Sequence, residues 1–264
     1  MRELFWSTII LVAMLVGMNR ADAVPAYAKA SKSKVDYCAR SKDPSYFKNL
    51  LLSTENVMGF INNGGIAGGG VCWWHSRFTR AATYLAIYRP DLPRPSFAQA
   101  KRIIQTIRHR RGVVEIPGFK NLNEFSLAYA DEIQDVLENW QMASGAAFGW
   151  IRGLAGSSTL SAEKMQQTIL QTLRLVEVEK LITYYKMQAK GITAHAWLVT
   201  KVEKSQYANG YILQIIDSNY AYPQEVNYSY GMTQFAGRYA PYLESSEIRE
   251  ARELAQIAKR SCNR

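Results

Sequence analysis

Three cysteines and three histidines occur in the 264 residues, so the side chains able to do nucleophilic chemistry can be weighed one at a time. Cys72 stands in GGGVCWWHSRF, after three glycines and before two tryptophans. Glycine permits sharp turns and close approach of backbone to a ligand. The periodicity starts a helix at this cysteine, where unpaired N–H groups and the macrodipole favour an anion. A thiolate is therefore the expected form, with the same N–H groups available to an oxyanion. The plainer alternative is a buried cysteine that opens a core helix.

A cysteine nucleophile needs a base. His75 lies three positions further along the same helix, which leaves little room for a substrate between the two. His109, inside RHRR, reads as a solvated helix end. His195 opens AHAWLV, a strand by pattern, and the next strand ends in Asp217-Ser218-Asn219. If the two strands form a hairpin centred on residue 206, Asp217 faces His195 across the ladder; a centre at 207 brings Asn219 there instead. An acceptor on one ring nitrogen fixes the tautomer and turns the other nitrogen towards the thiol. Asp217 is the preferred acceptor and Asn219 its rival, while the alternative for His195 is a hydrogen-bonded core histidine.

The elements that must position these residues follow from pattern. Helices are expected from Pro44 to about Ile61, from Cys72 towards Tyr88, from Ser96 to Gly112, over NLNEFSLAYADEIQDVLENWQM, and from Ala162 to about Leu175. Trp74, Phe78, Ala81 and Leu85 form the apolar stripe of the second, with Arg77 and Arg80 off it. The small-residue stretch 143–158 marks a subdomain boundary. LITYYKM, AHAWLVTKVE, GYILQIIDSN and EVNYSY are strands, and SSEIREARELAQIAKRSC closes the chain as a helix capped by Ser245 or Ser246. Helices, then strands, then a helix indicate an α+β fold.

Residues 1–23 have the anatomy of a secretory signal peptide, with an apolar run from Leu4 to Met18 too short to favour spanning; an uncleaved anchor is the other reading. Residues 24–43 read as a tail and 44–264 as one domain, helical over 44–150 and β-rich over 151–264. The net charge of +10 suits acidic surfaces or an anionic envelope polymer, yet the basic residues are scattered, so specific nucleic-acid binding is not expected. No membrane span is expected in the mature chain, which is read as a monomer. No cofactor and no metal is expected. Cys38 and Cys262 lie near opposite ends of the mature chain, and because domain termini are often close, a disulfide between them would leave Cys72 free; two unrelated buried thiols are the alternative.

The motifs Gly70-Val71-Cys72-Trp73, His195-Ala196 opening a strand, and a polar residue ending the next strand together resemble the papain-like cysteine peptidases. HAWLV followed by IIDSNY is similar to the bacterial exported branch. The 123-residue separation of Cys72 from His195 is close to that of papain-type enzymes. The resemblance implies a papain-like α+β fold with a cleft between a helical and a β-rich half. It also implies a secreted or periplasmic thiol hydrolase acting on a peptide or protein substrate through Cys72, His195 and Asp217. Where the family places an oxyanion glutamine, this chain has Ile66; Asn62 or Asn63 is the substitute candidate, unless both merely end the preceding helix. Of Trp73 and Trp74, one is expected to screen the histidine pair from water. A transglutaminase-like acyl transferase, a thiol peptidoglycan amidase and an inert binding protein are the rival readings.

Overall fold

The structure, a computed structural model, describes residues 28–65, 70–146, 158–188, 194–206 and 209–263. The expected signal peptide, Ile66 with the glycines at 68 and 69, most of the small-residue connection after residue 146, and parts of two strand-connecting turns lie outside the described residues.

The segment expected to be a tail is already ordered. The Ser33 hydroxyl accepts the Asp36 N–H and starts α1 (Lys34–Arg40). Tyr37 on this helix is buried, its hydroxyl donating to the Tyr84 carbonyl at 2.5 Å. Cys38, one residue on, is bonded to Cys262. The one long helix expected after Pro44 is instead α2 (Tyr46–Leu50) and a 3₁₀ turn, Thr54–Asn56, because Ser53 turns its hydroxyl onto the backbone N–H of Glu55.

The central helix is α3 (Cys72–Leu85). Phe78, Ala81 and Leu85 are buried as the stripe requires, but so is Arg80, which is fully enclosed. The helix stops at Leu85, and the chain runs straight into β1 (Ala86–Arg89), which pairs in parallel with β2 (Val114–Pro117) across α4 (Phe97–Arg108). Those two four-residue strands carry no alternating pattern and were legible only as a helix end and a loop. The fourth expected helix is broken at Tyr129 into α5 (Leu122–Ala128) and α6 (Ala130–Ala146).

After α7 (Ala162–Leu173) and a π-helical turn, Arg174–Val178, come β3 (Thr183–Gln188), β4 (Ala194–Lys204), β5 (Gly210–Asp217), β6 (Pro223–Ser229) and β7 (Ala240–Tyr242). They form one sheet in the order β6-β5-β4-β3-β7 with every neighbour antiparallel. The fold is α+β. Strand alternation divides the core: Tyr184, Ala196, Leu198 and Ile216 join the cluster around α3, whereas Tyr185, Trp197, Val199 and Ile215 join Met165 and Ile169 of α7. His195 and Asp217 fall in phase with the second set. The last helix, α8 (Ser245–Ser261), begins after Glu244 as N-cap and packs on α3. Among the described residues, no helix is long and apolar enough to cross a membrane.

Candidate active site

The start of α3 is fixed by what surrounds it. Gly70 has φ +81°, and a Cβ there would come within 2.5 Å of the Asn62 amide nitrogen, so only glycine fits. Asn62 itself is a tether. Its Oδ1 accepts from the Val71 N–H at 2.5 Å, its backbone N–H donates to the Ser218 carbonyl at 2.6 Å, and its Nδ2 donates to Asn219 Oδ1 at 3.2 Å. The residue that precedes the cysteine is thereby tied to the end of β5. From the other side, one face of α6 grips the same loop: Gln134 Nε2 donates to the Asn63 carbonyl at 2.8 Å, Glu138 accepts the Gly65 N–H at 3.0 Å, and Gln141 Nε2 donates to the Gly70 carbonyl at 3.0 Å.

Cys72 is the first residue of α3, and its Sγ lies 3.8 Å from the carbonyl oxygen of Ala194, the residue before His195. Only 7% of Cys72 is exposed. Burial pushes the thiol up to about 12, against backbone N–H groups of Trp73, Cys72 and Ala196 that pull it down and with the charge of Asp217 adding to the rise. The expectation of a resting thiolate at the helix N-terminus is therefore corrected: desolvation exceeds the pull of the helix end.

Across the ladder Asp217 is paired with Trp197, not with His195. The pairs from Trp197↔Asp217 to Val199↔Ile215 centre on residue 207, the second of the two expected registers, and a one-residue irregularity at Thr200 separates them from the pairs nearer the turn. The side chains nevertheless meet diagonally, His195 Nε2 lying 2.7 Å from Asp217 Oδ1, while the Trp197 indole donates to Oδ2 at 2.8 Å and the Asn219 N–H to Oδ1 at 2.8 Å. Burial works to raise the Asp217 carboxyl, but the hydrogen bond and charge of His195, with the Asn219 and Trp197 donors, hold it below the usual carboxylate range. A carboxylate only accepts, so Nε2 donates to it and Nδ1 is left as the basic nitrogen. Asn219 Nδ2, 3.5 Å from Nε2, is itself a donor and competes poorly for that contact.

Aromatic rings enclose the pair. The Tyr239 ring lies 5.8 Å from the imidazole and 5.9 Å from the Trp197 ring. Trp73 donates its indole N–H to the His195 carbonyl at 3.1 Å, so it braces the strand start, and its ring packs 6.0 Å from that of Trp74. His75 is buried, its Nε2 3.0 Å from the Phe60 carbonyl, and burial lowers it to about 4. His109 is an exposed C-cap of α4.

The structure thus brings Cys72, His195, Asp217, Asn62 and Asn219 to one end of the sheet. Asn63 faces α6 instead, its Oδ1 accepting from the Gly64 N–H at 2.8 Å. Sequence reasoning missed Trp197 and Tyr239. Trp197 was findable, since it lies two residues after His195 and so on the same face of one strand. Tyr239 arrives from a turn with no periodic signal. Among the described residues, no group of three or more histidine, cysteine, aspartate or glutamate side chains is placed to hold a metal ion. Comparisons of the chain with family models, with curated proteins and with solved structures return no match.

Proposed function

We propose that the protein is a thiol-dependent acyl hydrolase acting on a peptide or amide bond, with Cys72 as nucleophile, His195 as base and Asp217 as the residue that orients it. The observation that carries this reading is the 2.7 Å contact of His195 Nε2 with the Asp217 carboxylate, which leaves Nδ1 basic beside the strand start on which the Cys72 sulfur rests. The similarity of these motifs to papain-like peptidases supports it.

Because the resting thiol is protonated, the nucleophile forms as substrate enters. Sγ gives its proton to Nδ1 and bonds to the carbonyl carbon, and the oxyanion is steadied by the N–H groups of Cys72 and Trp73 at the helix start. Collapse breaks the carbon–nitrogen bond, and the imidazolium protonates the departing amine. Water then attacks the thioester, its proton passing through His195 back to sulfur. If an amine replaces water, the same steps give acyl transfer. Asn62 and Asn63 serve as loop tethers in this scheme.

The Cys38–Cys262 disulfide supports an oxidising, exported setting, in which a peptide or an envelope polymer is the substrate class. The 7% exposure of Cys72 favours one rival, a binding protein that keeps the cleft inert. Incubation with p-nitrophenyl acetate followed by intact-mass spectrometry separates the two. The hydrolase reading expects an acetyl thioester on Cys72, absent in Cys72→Ala and reduced roughly 100-fold in rate in His195→Ala. Acetylation at an equal rate in His195→Ala, or none on Cys72, would overturn it.

A further inference from the structure

Residues 235–239 form a tight reversal beside the site. Phe235 and Tyr239 exchange backbone hydrogen bonds at 2.7 and 3.0 Å, and the Arg238 N–H closes the turn onto the Phe235 carbonyl at 3.0 Å. Ala236 and Gly237 both take positive φ, +48° and +66°. A non-glycine residue in that region is strained, and strain of this kind persists where the surroundings enforce it. What the turn presents is specific. The Tyr239 ring packs beside His195, and the exposed Arg238 guanidinium sits 4.9 Å from the centroid of the same ring. Among the described residues, Arg238 has no carboxylate partner within ion-pair distance. Burial raises the Tyr239 phenol, Arg238 offsets part of that rise, and Asp217, Cys72 and Tyr220 add to it, so all four act on one hydroxyl at the mouth of the site. Tyr220 and Tyr222, both about half exposed and 5.7 Å apart, continue the aromatic rim past Asn219.

From this geometry we infer that the Phe235–Tyr239 turn is the substrate-recognition element of the site, with Arg238 binding a carboxylate that the substrate carries next to its scissile amide. The substrate class is an acidic peptide. The guanidinium packs over the Tyr239 ring, and its N–H donors suit a bidentate grip on a carboxylate. The inference rests on the thiol-hydrolase reading for the identity of the scissile bond.

Two reagents that differ only in a carboxylate test it. Iodoacetate and iodoacetamide both alkylate Cys72 by displacing iodide, and the ratio of their rates isolates recognition of the charge. The ratio is expected to fall about fivefold in Arg238→Gln and to be largely kept in Arg238→Lys. An unchanged ratio in Arg238→Gln overturns the inference, while alkylation by both reagents leaves the thiol reading standing. If neither reagent reacts, the thiol reading fails, and binding decides the inference alone. In Cys72→Ala, N-acetyl-Glu-Ala-amide should bind about fivefold more tightly than N-acetyl-Gln-Ala-amide by calorimetry, with the preference lost on adding Arg238→Gln. Equal binding of the two peptides, or binding of neither, overturns it.

Discussion

His195 and Asp217 are two residues out of register across the β4–β5 ladder, and their side chains still meet at 2.7 Å. The contact forms because Trp197, directly opposite Asp217, takes the other carboxylate oxygen. Oδ1 is shared by His195 and the Asn219 N–H while Oδ2 takes Trp197, and rotation of the carboxylate would break all three bonds.

The orienting role is therefore expected to belong to Asp217. Proton NMR should show a downfield-shifted Nε2–H of His195 in the wild type and in Asn219→Ala, and its loss in Asp217→Asn. Acylation of Cys72 by p-nitrophenyl acetate should follow the same order, with Asp217→Asn costing about tenfold or more but less than His195→Ala. A larger loss in Asn219→Ala would transfer the role to Asn219.

The disulfide is expected to be a strong staple. Cys38 and Cys262 are 224 residues apart, and the chain-entropy model puts the upper stabilisation from closing such a loop at about 5 kcal/mol. Thiol titration in denaturant without reductant should find one thiol per molecule, that of Cys72. Denaturation with reductant should occur at a markedly lower urea midpoint. Three titratable thiols would contradict the pairing.

Arg80 is the most exacting residue of the helix–helix contact. It is fully enclosed, paired with Glu247 at 2.7 Å and Glu250 at 2.9 Å, while Arg77 and Arg110 also reach Glu250. Arg80→Met leaves two buried carboxylates short of a partner and should cost about 3–5 kcal/mol, read as a fall in the thermal midpoint. A cost under about 1 kcal/mol would mean that Arg77 and Arg110 suffice.

Stability should decline with acid in two stages. His75 is depressed from 6.5 to about 4 by burial, so the unfolded chain takes up its proton first. Its contribution is whole above pH 6.5 and is lost as pH falls to about 4, worth roughly 3 kcal/mol in all. Burial would raise Glu250, yet Arg77, Arg80 and Arg110 overcome it and bring the carboxyl from 4.5 to about 2. That contribution is whole above 4.5 and is lost as pH falls towards 2. Urea midpoints against pH should show both arms, and the upper one should vanish in His75→Gln. Its persistence in that variant would assign the arm to another group.

Much of the site was legible because its residues are few. With three cysteines and three histidines, position in strand or helix was enough to choose Cys72 and His195, and the alternation of β4 and β5 brought Asp217 within range. Tertiary burial was not legible: nothing in CWWHSRF says that the helix is covered, and that cover reverses the expected effect of the helix dipole on Cys72. Arg77 and Arg80 read only as residues off the apolar stripe, because their acids lie some 170 residues away on α8. The parallel pair β1–β2 escaped because four-residue strands give no period, and the choice between hairpin centres 206 and 207 stayed open because the polar loop KSQYANG suits either. The tail became α1 through Ser33 and the disulfide, one a capping signal in the sequence and the other a partner at the far end of the chain.

The central claim is that Cys72 and His195 act as a pair, and alkylation of Cys72 by iodoacetamide against pH, in the wild type and in His195→Ala, tests it most directly. The account predicts a wild-type rate that is already substantial at neutral pH and that falls roughly 100-fold in the variant. A rate that is slow up to about pH 10 and identical in the two proteins would show a buried thiol with no base, and would contradict the account.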